Sequence, residues 1–266
     1  MSEIHQTAIV DDKATIGDDV AIGPYCVVGP GVTLGDGVVL RSHVVLEGRT
    51  TVGEGTQIYP FASIGLPPQD LKYKGEDSRL TIGRNNVIRE YVTMNPGTEG
   101  GGMETRIGDN GLYMIGIHIA HDCNVGNGVI MANNATLAGH VVVEDFAVIG
   151  GLAAVHQFVR IGAHAMIGGL AGVEQDVIPF GSVMGERASL SGLNIIGMKR
   201  RGFEREAIHG LRAAFKEIFD EKGTLGDRVD TVAGDYAGNE AVAQVIEFIR
   251  GESTRGLTRP KSENGG

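Results

Sequence analysis

Residues 4–64, IHQTAIVDDKATIGDDVAIGPYCVVGPGVTLGDGVVLRSHVVLEGRTTVGEGTQIYPFASI, carry an aliphatic side chain at every sixth position: Ile4, Val10, Ile16, Ile22, Val28, Leu34, Leu40, Leu46, Val52, Ile58 and Ile64. Eleven successive hits in one phase set a period before any local propensity is weighed. The comb lapses over 66–80, returns at Ile82, Ile88 and Met94, slips phase, and runs again from Ile107 to Val173. Glycine often follows the aliphatic residue, as at Gly17, Gly23 and Gly35. A small or β-branched residue often stands two places before it, as at Ala14, Val20 and Cys26. Positions two apart in a strand share a face, so both members point inward and the glycine opens a turn. One such unit cannot bury a core. Stacked as a solenoid the units can, and three hexads per turn make a triangular prism of about 18 residues per coil. The chain is therefore predicted to be mainly β, a parallel β-helix of hexapeptide repeats.

Two segments interrupt the comb, 66–80 (LPPQDLKYKGEDSRL) and 96–105 (PGTEGGGMET). Both are predicted to be loops thrown out from the prism, where function tends to sit on a rigid scaffold. Beyond about 180 the comb ends. GFEREAIHGLRAAFKEIFDEKG puts Ile208, Leu211, Phe215, Ile218 and Phe219 on one helical face. NEAVAQVIEFIRG reads as a second helix with Gly251 as its stop. The expected organisation is a β-helix over 1–190, then a C-terminal α-helical domain over 191–266 that covers the open strand edges. Its tail is expected to be loose from about 252.

Composition narrows the function class. The 266 residues include 42 Gly, no Trp and two Cys, with a net charge of −10. That charge argues against broad nucleic-acid or anionic-membrane binding. No apolar stretch reaches the length of a membrane span and MSEIHQTAIVDD lacks a signal-peptide pattern, so a cytoplasmic protein is expected. Cys26 and Cys123 both hold the small inward position of the repeat, which reads as core filling rather than nucleophilic chemistry.

Five of the eight histidines fall between 118 and 164, all off the inward positions: His118, His121, His140, His156 and His164. One coil of about 18 residues places His121 beside Gly139, and Asp122 beside His140. Three readings fit this cluster. Surface or subunit-contact histidines are one. A zinc site is the second, although the close pair His118 and His121 lacks the four-residue spacing used on prism faces by zinc enzymes of this fold. The third is general-base catalysis, with Asp122 orienting the His121 ring and Gly139 bringing a backbone N–H to a developing oxyanion. Across 198–216 there are six Lys or Arg and two Glu, a local positive stretch in an acidic chain. It reads either as a solvated helix face or as a dock for phosphate or an acidic protein.

Six motifs in order, QDLKY, IHIAHDCNVG, NNATLAGHV, AVIGGLAAVHQF, IGAHAMIGG and MKRRGF, resemble the UDP-N-acetylglucosamine O-acyltransferases that begin lipid A synthesis in Gram-negative bacteria. The resemblance runs from about residue 5 to Phe219, is weaker in the later helices, and ends near STRGL. It implies a left-handed β-helix, which the periodicity does not decide. It also implies a homotrimer with active sites between neighbouring prisms. The implied reaction moves an (R)-3-hydroxyacyl chain from acyl carrier protein to the 3-position of UDP-N-acetylglucosamine. The chain arrives on the carrier's phosphopantetheine, with no metal and no other cofactor. Carried over by motif, His121 is the general base, Asp122 its orienting partner and Gly139 the oxyanion donor. Asp70, Lys72, His118, His140 and Gln157 would contact sugar and phosphates, and Asn194 and Arg201 the nucleotide. His156 and Gly169 would line the acyl groove. Arg200 would favour the phosphopantetheine or carrier, and Arg205, Arg212 and Lys216 extend that expected dock. Three positions depart from the family's usual residues. Ile196 replaces Glu, Arg187 replaces His and Asn95 replaces His, which leaves uridine contacts and acyl chain length open.

The related N-acyltransferase of lipid A synthesis carries a uridine-binding domain before its coils. A comb beginning at Ile4 is taken to leave no room for one. An inert β-helical scaffold is the contrasting class, and the outward His–Asp cluster counts against it. A 3-amino sugar remains an alternative acceptor, since a histidine base serves either nucleophile.

Overall fold

The structure is a computed structural model describing residues 2–261. Its strands form three sheets of eleven, nine and eight strands, the three faces of a prism. Neighbouring strands within each face are parallel through the coils. Ile22 pairs with Leu40 and Leu40 with Ile58, so the eighteen-residue coil is seen directly. The step lengthens where loops leave: Ile58 pairs with Ile88, and Ile88 with Tyr113. From Tyr113 the coil returns to Met131, Ile149 and Ile167. The inward positions make one continuous buried column, including Val20, Cys26, Leu46, Ile64, Met94, Ile119, Cys123 and Ile161.

The corners are built by an unusual backbone. Among the described residues, seventeen other than glycine have φ between 53° and 67°, and all but Met103 stand three places after an inward aliphatic residue. Left-handed conformation costs an L-residue roughly 1–2 kcal/mol, so packing at the corners must offset it. Stacking supplies part of that. Tyr25, His43, Phe61 and Tyr91 form a ladder along the corner after the eleven-stranded face, with ring centroids 5.0–5.2 Å apart. Phe146, His164 and Phe180 form a second ladder on the corner after the eight-stranded face.

The coils end in Gly181–Met184, parallel to Met166–Ile167, followed by the antiparallel Ser189–Leu193. The last strand thus passes residue 190. Among the described residues four α-helices follow: α1 Ile195–Arg200, α2 Arg205–Ile218, α3 Leu225–Asp235 and α4 Glu240–Arg250. Two of them were not anticipated. α1 is too short to show a period, and α3 buries only Val229 and Val232 while carrying two glycines. α3 is instead marked by its capping box, Thr224 with Asp227. α4 begins at Asn239, whose side chain accepts from the N–H groups of Ala241 and Val242, and ends at Gly251. Arg160 ties α4 to the prism: its guanidinium lies 4.2 Å from the Phe248 ring centroid and donates to the Phe248 carbonyl.

The tail corrects an expectation. Residues 256–259 are not loose, because Thr258 N–H donates to Asp176 O, Asp176 N–H to Gly256 O, and Leu190 N–H to Arg259 O, while 262–266 of the expected tail lie outside the described residues. Thr258 is buried, and Arg255 donates to the Gln157 carbonyl. A polar sequence is held here by pairing with an open strand edge, which composition does not reveal. Among the described residues no helix is long and apolar enough to cross a membrane.

Candidate active site

The His–Asp cluster sits on the corner that follows the nine-stranded face. Strand His118–Ile119 leads into His121 and Asp122, and Thr136–Leu137, one coil on, leads into Gly139 and His140. Both loops leave the prism at the same corner, after Ser63–Ile64 and Thr93–Met94. The repeat phase thus gathers two catalytic-type side chains and two excursions along one edge.

His121 and Asp122 form a hydrogen-bonded pair, Nδ1 to Oδ2 at 2.7 Å. A buried carboxylate on one ring nitrogen fixes the proton there and leaves Nε2 with its lone pair. Nε2 lies 3.8 Å from Asp70 Oδ2, and the ring borders Gly139 so closely that a Cβ there would sit 2.7 Å from Nε2. Among the described residues, nothing accepts the Gly139 N–H, while the next amide, His140 N–H, donates to the His121 carbonyl at 3.0 Å.

Asp122 is held from several directions. Its side chain is fully buried and its backbone lies at φ 59°. Thr98 donates its N–H to Oδ1 at 2.8 Å and its hydroxyl to Oδ2 at 2.6 Å. The Asp122 N–H donates to Thr105 Oγ1 at 2.7 Å. Neither threonine was legible as functional in the sequence, where 96–105 read as one projecting loop; Thr105 lies instead in the strand Glu104–Ile107, paired with Leu80. Loop 66–80 is tied to the same assembly through Glu76, which accepts the Glu99 N–H at 3.2 Å.

The other histidines have distinct surroundings. His140 stands edge-on to His121 and stacks on Phe158 at 4.4 Å. Burial pushes its pKa below the usual imidazole value, against the attraction of Asp122. His118 meets Thr93 Oγ1 through Nδ1 at 2.8 Å, and burial followed by the neighbouring His121 lowers its pKa. Asp70 takes the Lys72 N–H at 3.0 Å, the main cause of its lowered pKa, and Lys72 Nζ lies 3.8 Å from its other oxygen.

His121, Asp122 and His140 also offer ligand atoms within 4.8 Å of one another. A cation on Asp122 Oδ2 would have to displace the Thr98 hydroxyl and the His121 N–H, so the donor set fits a positioned base better than a metal cage. Cys123 is fully buried and its thiol is pushed up to about 12 by burial, which leaves no thiolate for nucleophilic work.

The remaining expected site residues are spread over all three corners of the prism and the C-terminal helices. His156 and Gln157 are exposed on the His121 corner, one coil beyond Gly139. Gly169 belongs to the corner after the eleven-stranded face. Asn194 and Arg201 belong to the third corner: Asn194 donates to the His164 carbonyl, and Arg201 lies 4.4 Å over the Phe146 ring. Arg187 is exposed beside Glu174, Ile196 is exposed, and buried Asn95 donates to the Leu66 carbonyl. Arg200 ends α1, while Arg205, Arg212 and Lys216, with His209, make one exposed stripe along α2.

Hexapeptide coils that carry a histidine–carboxylate pair on an outer corner define a hexapeptide-repeat transferase. Residues 13–48 match the family described as bacterial transferase hexapeptide (six repeats), and 176–258 match UDP N-acetylglucosamine O-acyltransferase, domain 2. An acyl-[acyl-carrier-protein]–UDP-N-acetylglucosamine O-acyltransferase of Rhizobium etli is 49% identical over 97% of this chain and 95% of its own. One from Paracoccus denitrificans is 54% identical, covering 76% of this chain and 77% of its own. The solved UDP-N-acetylglucosamine acyltransferase of Campylobacter jejuni superposes with a TM-score of 0.92 at 40% identity, over 97% of this chain and all of that one. The chain belongs to the UDP-N-acetylglucosamine O-acyltransferase family.

Proposed function

We propose that this chain transfers an (R)-3-hydroxyacyl group from the thioester of acyl carrier protein to the 3-hydroxyl of UDP-N-acetylglucosamine, the first step of lipid A biosynthesis. The observation that carries the reading is the His121–Asp122 pair, whose Nε2 faces the site beside the unpartnered Gly139 N–H. His121 Nε2 removes the proton from the sugar hydroxyl as its oxygen attacks the thioester carbonyl. The Gly139 N–H meets the oxyanion of the tetrahedral intermediate. Collapse breaks the C–S bond, and the imidazolium returns its proton to the departing thiolate. Asp122 and, at 3.8 Å, Asp70 stabilise the transient imidazolium. The acyl group arrives on the carrier's phosphopantetheine, so no resident cofactor or metal enters these steps. Asp70, Lys72, His118, His140 and Gln157 share the His121 corner or its loop and are suited to sugar and phosphate.

Asn194 and Arg201 occupy another corner of the same prism. Their separation favours a homotrimer in which a neighbouring copy brings the nucleotide contacts. Gly169 and His156 would then border the acyl chain. Arg200, Arg205, Arg212 and Lys216 have no carboxylate within ion-pair distance among the described residues, which leaves them for an acidic carrier protein. Those substrates go with a cytoplasmic location. Thiol release with the 3-hydroxy and 3-amino sugars, each with carrier thioesters of several lengths, tests the reading. His121→Ala should lower turnover by about 10²–10⁴-fold. Near-normal turnover in a folded variant would remove His121 as the base, and a strong preference for the 3-amino sugar would change the acceptor.

A further inference from the structure

Asp122 spends its carboxylate on donors from a loop that the repeat does not need. Thr98 stands at the N-cap of the short 3-10 turn Glu99–Gly101, where a threonine hydroxyl commonly accepts a bond from its own helix. It makes no such bond. Instead it donates both its N–H and its hydroxyl to Asp122, one to each carboxylate oxygen. Thr98 is 5% exposed, so water does not substitute easily for either bond. The turn is closed beneath it, with the Gly101 and Met103 N–H groups both donating to the Thr98 carbonyl. Gly101 lets the loop lie against the carboxylate, because a Cβ there would collide with Asp122 Cγ and both its oxygens.

We infer that Thr98 is a positioning residue of the acyl-transfer reaction, acting through Asp122 to hold the His121 ring in its working tautomer and orientation. This rests on His121 and Asp122 being the base and its partner. Without the hydroxyl, Oδ2 keeps only the His121 Nδ1–H donor and Oδ1 only the Thr98 N–H, so the carboxylate is held less firmly about its side-chain torsion. The ring it holds then loses its aim at the hydroxyl proton. Loss of one hydrogen bond to a charged group corresponds to about a 10- to 100-fold effect, and it should fall on kcat. KM for the sugar and the carrier should change little, because Thr98 is almost fully buried and both its donors are taken by Asp122.

The test is a double-mutant cycle in the thiol-release assay. Thr98→Val keeps the shape and the backbone N–H but loses the hydroxyl, and should lower kcat about 10- to 100-fold. Thr98→Ser should recover most of that loss. In an Asp122→Ala background, Thr98→Val should cost less than about twofold more, since its effect runs through Asp122. Gly101→Ala should lower kcat as well, whereas Gly100→Ala, which faces open space in the same turn, should not. Thermal unfolding identifies any variant that fails to fold. If Thr98→Val does, the Ser and Gly101 variants still decide. The inference is overturned if Asp122→Ala is impaired while Thr98→Val turns over normally. It is overturned equally if the Thr98 and Asp122 losses multiply, or if Thr98→Val acts on KM alone. If Asp122→Ala is itself near wild type, the proposed base pair falls instead.

Discussion

Alanine at position 139 is the sharpest probe of the site, because its effect follows from distances. The new Cβ would stand 2.6 Å from His121 Cε1 and 2.7 Å from Nε2. Ordinary contact begins near 3.4 Å, so the ring must retreat by roughly 0.8 Å while Asp122 still holds its other nitrogen. A misplacement of about 1 Å in a reacting group costs on the order of 10²-fold in rate. We therefore expect Gly139→Ala to lower kcat about 100-fold with the unfolding midpoint within about 3 °C of wild type. The amide N–H survives the substitution, so the loss reports ring position rather than removal of an oxyanion donor. Gly234→Ala is the control. It lies in α3 with nothing within 4 Å of its added Cβ, and should gain roughly 0.5–1 kcal/mol of stability with kcat unchanged. The assay is release of carrier thiol at saturating sugar, followed by thermal unfolding and a urea titration of each variant. A folded Gly139→Ala enzyme within threefold of wild-type kcat would refute the reasoning, since the ring would then tolerate displacement.

Three further outcomes are expected. Cys26→Ala with Cys123→Ala should keep turnover and resist thiol reagents while losing some stability, because both thiols are buried and burial raises both pKa values; inactivation of the folded double variant would point to a covalent route. Arg205→Glu with Arg212→Glu should raise KM for the carrier and flatten its salt dependence with little change for the nucleotide sugar, measured across a salt series; unchanged carrier kinetics would make the α2 stripe a plain solvated face. Glu104 is held near a pKa of about 2, first by its hydrogen bond to Arg79, with Thr81 and Arg106 also donating. A depressed carboxylate stabilises the fold above its unfolded value of 4.5 and loses that contribution as pH falls toward 2. Glu104→Gln should therefore cost up to about 2–3 kcal/mol in urea at pH 7, with the gap closing by pH 2; a gap independent of pH would exclude this ion pair as its source.

Much of this protein was written in its period. A six-residue repeat can bury only one face of each strand, so the inward column from Val20 to Val173 followed from the sequence alone. The same arithmetic placed His121 against Gly139 and Asp122 against His140, since residues one coil apart must be neighbours in a solenoid. The cysteines' interior position followed likewise. Periodicity is silent wherever the chain leaves the period. It could not say which way the coil turns, nor that corner residues such as Asp122 and His140 adopt a left-handed backbone, because side-chain hydrophobicity does not encode φ. It missed α1 and α3, one too short and the other too sparsely apolar for a helical stripe to emerge. It also left the tail loose, because pairing of Thr258 with Asp176 depends on an open edge more than eighty residues away. The clamp of Thr98 and Thr105 on Asp122 was likewise a matter for tertiary structure. Thr98 lies in a loop outside the repeat, which has no register to predict, while Thr105 lies in the strand Glu104–Ile107, two places before the inward Ile107, a position that reads as core filling.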